Sequence, residues 1–225
     1  MTFSIAGHCR RSGMFGVAIA TSSISVGARC PHARAGAGAV ASQNITDPSL
    51  GAAVLDELEA GHGAQDALQR ALAGRPNLEY RQVTAVDRTG KTACHSGERM
   101  LGIHAAAPGA DCIAAGNLLE NPGVPAAMTA DFARRADAHL AERLLAALEA
   151  GLAAGGEQGE LHSAALLVAD AQPYPLVDLR IDWHYDAPLS ALRELWRAYE
   201  PQMQDYLTRA INPAGAPSYG VPGDL

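Results

Sequence analysis

The chain has 225 residues, 48% of them hydrophobic, so it can bury a substantial core as one large domain or two small ones. Its net charge is −7 and it has no run of Lys and Arg longer than a pair, which argues against nucleic acid binding. No segment has the roughly 18 apolar residues of a membrane span, and the first residues are not typical of a signal peptide. We therefore predict a cytoplasmic protein that does not bind membranes.

The pattern of apolar residues, turns and helix caps predicts alternating groups of strands and helices in chain order. Predicted strands cover residues 2–8, 16–21, a glycine-rich piece in 27–43, 82–87, 91–95, 111–116, 163–169 and 177–182. Predicted helices cover 47–60, 64–73, 124–135, 139–152 and 188–200, the last bending at Pro201 and resuming to 211.

This order of elements is not the strict strand–helix alternation of a doubly wound fold. It favours an α+β fold in which two antiparallel sheets are layered between helices. We predict one domain over residues 1–211, followed by an arm over 212–225 that is rich in proline and glycine.

The cysteines and histidines do not indicate a metal site. The four cysteines are scattered without a CxxC pair, so we predict buried, reduced thiols (Cys9, Cys30, Cys94, Cys112). No two histidines are spaced as on a zinc-binding helix. We expect no metal and no organic cofactor.

The second residue of the chain suggests a chemistry. Initiator methionine is usually removed before a small residue, which would leave Thr2 with a hydroxyl and a free α-amine. Such a residue supplies a nucleophile and a general base together. The alternative is an inert strand residue, because many proteins begin Met-Thr by chance.

Several segments in order resemble the DUF1028 family, over roughly residues 1 to 200. They are MTFSIAG, GVAIATSSISVGARCPHARAGAGAVASQ, DPSLG, RQVTAVDRTGKTACHSGER, AGNLLENP, LAERLLAALEAGLAAGGEQG, HSAALLV and DLRID. The resemblance implies a four-layer αββα sandwich like that of the N-terminal nucleophile (Ntn) hydrolases, with Thr2 at the nucleophile position. This chain has His162 where the family often has Gln, and its sequence begins at Met1.

Four further residues are candidates for the same site, because they lie at strand ends or strand entries. Thr21 would hydrogen-bond Thr2, and Asn117 would donate to an oxyanion. Arg34 would keep the α-amine neutral or bind a substrate carboxylate, and Gln43 would contact the substrate. For each of them the alternative is an ordinary turn or surface residue.

Two other polar segments are weaker candidates. His162 precedes a strand and would act as an acid or base if it reached the site, although a structural histidine is the commoner case. The acidic run 157–160 lies among glycines and is expected to be a solvated loop.

The sequence favours an amidohydrolase that cleaves a non-peptide C–N bond of a small metabolite, with Thr2 and Asn117 catalytic. One alternative is a non-catalytic metabolite-binding or scaffold protein that retains the fold. A third is a C–N hydrolase-like protein acting beside enamine or imine detoxification. Apolar residues on more than one face of the last helix also predict a homo-oligomer.

Overall fold

The structure is a computed structural model that describes residues 1–220. The strands are β1 Thr2–His8, β2 Phe15–Thr21, β3 Pro31–Arg34, β4 Gly38–Asn44, β5 Arg81–Asp87, β6 Thr92–Ser96, β7 Ala105–Gly109, β8 Cys112–Asn117, β9 Ser163–Ala169 and β10 Val177–Ile181. The α-helices are α1 Pro48–Glu59, α2 Ala64–Leu72, α3 Val124–Arg134, α4 Leu140–Ala153 and α5 Pro188–Ile211.

The strands form two antiparallel sheets. The six-stranded sheet has the order β10-β9-β2-β1-β8-β7, and the four-stranded sheet has the order β3-β4-β5-β6. β1 is therefore a central strand, paired with β2 on one side and with β8 on the other. The mixed α/β character and the two antiparallel sheets agree with the sequence-based prediction.

Alternate side chains of β1 enter two different cores, because successive residues of a strand point to opposite faces. Phe3 and Ile5 belong to the core beneath α3, α4 and α5, which pack on the six-stranded sheet. Ala6 belongs to a second core between the two sheets, where small residues such as Ala39 and Ala41 allow close approach. A third core lies between the four-stranded sheet and α1 and α2.

Two strands differ from the prediction. The glycine-rich piece is a hairpin, because Gly36 adopts a left-handed φ of 70° and turns the chain between β3 and β4. β7 was missed because its sequence, AAAPG, has low strand propensity and contains Pro108. A proline is tolerated there because β7 is an edge strand.

The helices agree closely with the predicted ones. Asp47 caps α1 by accepting a hydrogen bond from the backbone N–H of Ser49, as the Asp-Pro-Ser sequence predicts. Helix α5 continues through Pro201 to Ile211. No helix within residues 1–220 combines the length and apolar character needed to cross a bilayer.

Residues 212–220 of the predicted arm lie beside α5 of the same chain. The Arg209 guanidinium lies 3.7 Å from the centre of the Tyr219 ring and donates a 2.9 Å hydrogen bond to the Pro217 carbonyl. Residues 221–225 of the arm lie outside the described residues.

All four cysteines are free thiols, as predicted, and three of them are buried. Cys94 is only partly buried. The cysteines therefore contribute packing and no covalent link.

Candidate functional site

The register of the six-stranded sheet places three polar side chains at one level. Thr2 is directly opposite Thr21 on β2 and Asn117 on β8. Directly opposite residues in an antiparallel sheet point to the same face. For these residues it is the face toward the four-stranded sheet, because Ala6, an even number of positions along β1, lies in the inter-sheet core.

The hydroxyls of this group meet at the carbonyl oxygen of Met1. Both Thr2 Oγ1 and Thr21 Oγ1 donate to that oxygen, and the two hydroxyl oxygens lie 3.1 Å apart. Thr2 is buried, at 7% exposure. The Thr2 hydroxyl is thus held beside a carbonyl group in a site from which water is largely excluded.

The side chain of Asn117 is buried and unpaired in the described part of the chain. It is 1% exposed, and neither Oδ1 nor Nδ2 forms a hydrogen bond within residues 1–220. The next residue, Leu118, has a left-handed φ of 50°, and its N–H donates to the Leu101 carbonyl at 3.0 Å. A buried amide without a partner is costly, and each such group in a native structure calls for an explanation, of which a catalytic role is one.

Gln43 joins the two sheets behind Thr2. Ser4 Oγ donates to Gln43 Oε1 at 2.6 Å, and Gln43 Nε2 donates to Gln82 Oε1 at 2.7 Å. Gln82 in turn donates to Ser96 Oγ at 3.2 Å. Because both ends of the Gln43 amide are engaged, the geometry favours a supporting role over direct substrate contact.

Glu157 reaches this site, although the sequence predicted a solvated loop. It lies in the glycine loop, residues 155–159, in which Gly155, Gly156 and Gly159 have left-handed φ values of 124°, 62° and 120°. Two backbone bonds attach the loop to the end of β8: the Glu120 N–H donates to Gly156 at 3.1 Å, and the Gln158 N–H donates to Leu118 at 2.8 Å.

The Glu157 carboxyl group is buried at 6% exposure. The Ser22 hydroxyl and N–H lie close to it, but no group in the described chain makes a hydrogen bond of good geometry to either oxygen. Burial raises its pKa to about 7, while the amino terminus of Met1 and the Ser22 hydroxyl and N–H oppose the shift. The sequence signal for Glu157 is weak. Only the three surrounding glycines indicate that the loop can fold back on itself.

The structure does not bring Arg34 to this site. Arg34 is opposite Gly38, five residues along β4 from Gln43, or about 17 Å at the usual rise of a strand. Its guanidinium pairs with Asp56 at 2.9 Å and Glu59 at 2.7 Å on α1. The predicted place beside the α-amine is therefore not found, because Arg34 lies at the turn end of the β3–β4 hairpin and Gln43 lies near its other end.

A cleft of about 470 Å³ lies beside Arg34 at this far end of the sheets. Its lining includes Glu59, Ala169 and Tyr174. Ala169 is the last residue of β9, whereas Ser163, opposite Thr21, is the first. The cleft is therefore separated from Thr2 by the length of a strand.

His162 lies near Thr21 but has structural partners. Its backbone N–H donates to the Thr21 carbonyl at 2.9 Å, and its ring stacks on Trp183 with centroids 4.3 Å apart. Its Nδ1 lies 3.1 Å from the His184 carbonyl oxygen. These contacts are those of a histidine that fixes a loop.

No three His, Cys, Asp or Glu side chains in the described part of the chain converge as a metal site would require. The polar groups gathered around Thr2 are hydroxyls, the unpaired amide of Asn117 and the Glu157 carboxyl, supported by the paired amide of Gln43. Such groups suit nucleophilic attack, oxyanion stabilisation and proton transfer.

The sequence matches, over residues 2–192, the family described as "Family of unknown function (DUF1028)". The chain belongs to the DUF1028 family. It is similar to the crystal structure of protein SPO2555 from Silicibacter pomeroyi, also described as DUF1028. The two are 36% identical, with a TM-score of 0.83, over 91% of this chain and 89% of that chain.

A second solved structure, Anbu (ancestral beta-subunit) from Yersinia bercovieri, is 10% identical with a TM-score of 0.38, over 91% of this chain and 97% of that chain. No curated protein matches the sequence. Family membership does not fix a reaction, so the chemistry must be inferred from the site.

Proposed function

We propose that this protein is an Ntn amidohydrolase that becomes active when Met1 is removed and hydrolyses a non-peptide C–N bond of a small metabolite. The proposal includes the four-layer αββα arrangement of that class. It is supported by helix packing on the outer face of each sheet and by the core between the sheets.

The single observation that carries the proposal is the alignment of Thr2 with Thr21 and Asn117 across three adjacent strands. A nucleophile, a hydroxyl that orients it and an unpaired amide donor lie on one face at one level. Burial of Thr2 disfavours the charged form of a free α-amine, which a general base requires. Burial thus takes the role that the sequence assigned to Arg34.

In the proposed reaction, Thr2 Oγ1 attacks the carbonyl carbon while its proton passes to the Thr2 α-amine. Asn117 Nδ2 donates to the oxyanion, and the α-amine then protonates the leaving nitrogen as the C–N bond breaks. The acyl group remains as an ester on Thr2. The α-amine next takes a proton from water, whose oxygen attacks the ester. As the ester bond breaks, the α-ammonium returns that proton to Thr2 Oγ1, and the acid leaves.

One observation favours the second candidate, a binding protein without catalysis. While Met1 is present, the Thr2 nitrogen is an amide, and the Met1 carbonyl oxygen occupies the hydrogen bonds of both hydroxyls. A protein that retains Met1 has no α-amine at Thr2 and can only bind ligands there.

The test combines mass spectrometry of the purified amino terminus with an ammonia-release screen over small amides, lactams and ureido acids. We expect a chain that begins at Thr2 and hydrolyses at least one compound, with no activity in Thr2→Ala. A homogeneous Met1 amino terminus in the native protein would refute the catalytic proposal. So would a folded Thr2→Ala variant of unchanged rate.

A further inference from the structure

Met1 lies next to the position that the acyl group of a substrate would take on Thr2. Its carbonyl oxygen accepts from the hydroxyls of Thr2 and Thr21, and its carbonyl carbon is bonded to the Thr2 nitrogen. An acyl group on Thr2 Oγ1 and an acyl group on the Thr2 nitrogen lie on the same residue and therefore in neighbouring positions. The surroundings of Met1 are thus a guide to what an acyl group would meet.

The Met1 side chain lies against the glycine loop. A Cβ atom placed on Gly159 would be 3.3 Å from Met1 Cε and 3.5 Å from Met1 Sδ. The absence of a side chain at Gly159 therefore leaves room for an unbranched apolar group. A substrate acyl group with such a chain would make the same contact.

The amino group of Met1 is the charged group that attracts the Glu157 carboxylate. Ser22 lies near Glu157, but no described residue makes a well-formed hydrogen bond to its carboxylate, and the second such side chain of the site is the neutral Asn117. Met1 is held through its bond to Thr2, whereas a free ligand can move closer to the carboxylate. An ammonium group would give Glu157 the charge-assisted hydrogen bond that it lacks.

The site is also unsuited to an anionic acyl group. The cation predicted to bind a substrate carboxylate, Arg34, lies at the other end of the sheets and is paired with Asp56 and Glu59. A carboxylate beside buried Glu157 would place two like charges in a low-dielectric site, which is strongly unfavourable.

We propose that Glu157 selects amides whose acyl part carries an ammonium group next to the carbonyl and an unbranched apolar side chain. This proposal rests on the proposed function. The substrate class is that of α-amino acid amides. The ammonium binds Glu157, the carbonyl carbon faces Thr2 Oγ1 with its oxygen toward Asn117 Nδ2, and the side chain packs on Gly159.

Binding can be measured without turnover on the full chain lacking Met1 and carrying Thr2→Ala. The probes are L-methioninamide and 4-(methylsulfanyl)butanamide, which is the same amide without the ammonium group. By calorimetry at pH 8 we expect L-methioninamide to bind roughly tenfold to a hundredfold more tightly. Glu157→Gln should abolish the preference, and Glu160→Gln, an exposed residue just beyond the same loop, should preserve it.

The proposal is wrong if the two probes bind equally, if L-methioninamide fails to bind at millimolar concentration, or if the preference survives in a folded Glu157→Gln variant. Failure of catalysis gives a different pattern. A wild-type protein that prefers L-methioninamide but releases no ammonia from it would retain the recognition and lose the proposed function. A protein that hydrolyses both amides equally would retain the proposed function and lose the recognition by Glu157.

Discussion

Ser4 on β1 donates a 2.6 Å hydrogen bond to Gln43 on β4, and this contact joins the two sheets two residues from Thr2. Gln43 is 1% exposed, and its amide also donates to Gln82. The position of the first residues of β1 relative to the second sheet thus depends on a buried polar chain and not on apolar packing alone.

Replacing Gln43 with Met should therefore destabilise the protein. It would leave the Ser4 hydroxyl and the side-chain oxygen Oε1 of Gln82 without their partners, at a cost of about 2 kcal/mol in the free energy of unfolding. Urea unfolding of the variant and the wild type measures this. Gln158→Met, at an exposed position, is the control and should change stability by less than about 0.5 kcal/mol. Equal stability of both variants would contradict the supporting role of Gln43.

Replacing Asn117 should separate stability from activity. Its amide forms no hydrogen bond within residues 1–220, so Asn117→Leu loses none and removes a buried polar group. We expect unfolding free energy within about 1 kcal/mol of wild type and a kcat lowered by about 10²- to 10³-fold, as for loss of an oxyanion donor. Steady-state kinetics on whichever amide the screen identifies provides the measurement. A large rise in KM at constant kcat would instead place Asn117 in ground-state binding.

Stability should depend on pH through Glu157. Its pKa is about 7 in the folded state, against 4.5 when unfolded, so the folded state holds the proton longer. The free energy of unfolding therefore falls as pH rises from 4.5 through 7, and above pH 7 the full cost is about 3 kcal/mol.

Glu157→Gln removes this titration. Relative to wild type, the variant should gain stability between pH 5 and pH 8, as measured by denaturant unfolding across that range. Glu160→Gln should follow the wild-type profile. A constant difference between wild type and Glu157→Gln at all pH values would show that the carboxyl group titrates normally.

Thr2→Ala should abolish amide hydrolysis while the protein stays folded. The substitution removes one hydroxyl and keeps the β-strand, so its stability cost should be about 1 kcal/mol. Thr2→Ser retains both hydroxyl and amine and should keep partial activity. If Thr2→Ser were as inactive as Thr2→Ala while its amino terminus was processed, the proton transfer assigned to Thr2 would be wrong.

Helix α5 leads us to expect a homo-oligomer. It buries Leu192 and Trp196 against the domain but exposes Leu195, Tyr206 and Ile211. Exposed apolar residues on a second face of a helix commonly meet a neighbouring subunit. Light scattering at micromolar concentration should show a mass above that of one chain, and a strict monomer would contradict the prediction.

Sequence patterns predicted those structural features that depend on residues close together in the sequence. The Asp-Pro-Ser cap of α1 and the strand of residues 2–8 follow from local chemistry, and both are found. The pairing of Thr2 with Thr21 follows from a hairpin of neighbouring strands. Asn117 is 115 positions from Thr2, so its place in the site was expected only from its position at a strand end and from the resemblance to a family.

The predictions for Arg34 and Glu157 were wrong because the positions of both residues depend on contacts between distant parts of the chain. An arginine in a glycine-rich segment gives no indication of which way a hairpin will turn it, so Arg34 was expected at the wrong end of the sheets. A glutamate in a glycine loop is usually solvated, and the burial of Glu157 depends on the backbone bonds between that loop and β8.

The enclosure of Met1 has a consequence for biosynthesis. Its carbonyl is bound by Thr2 and Thr21 and its side chain lies on Gly159, so the fixed conformation needs residues that leave the ribosome much later. At about 5 to 20 residues per second, the growing chain keeps an untethered amino terminus for roughly 8 to 30 s. We expect an aminopeptidase to act in that interval and to act poorly on refolded protein that has kept Met1. The proportion of chains that begin at Thr2 in a cell would then depend on the relative rates of methionine removal and folding.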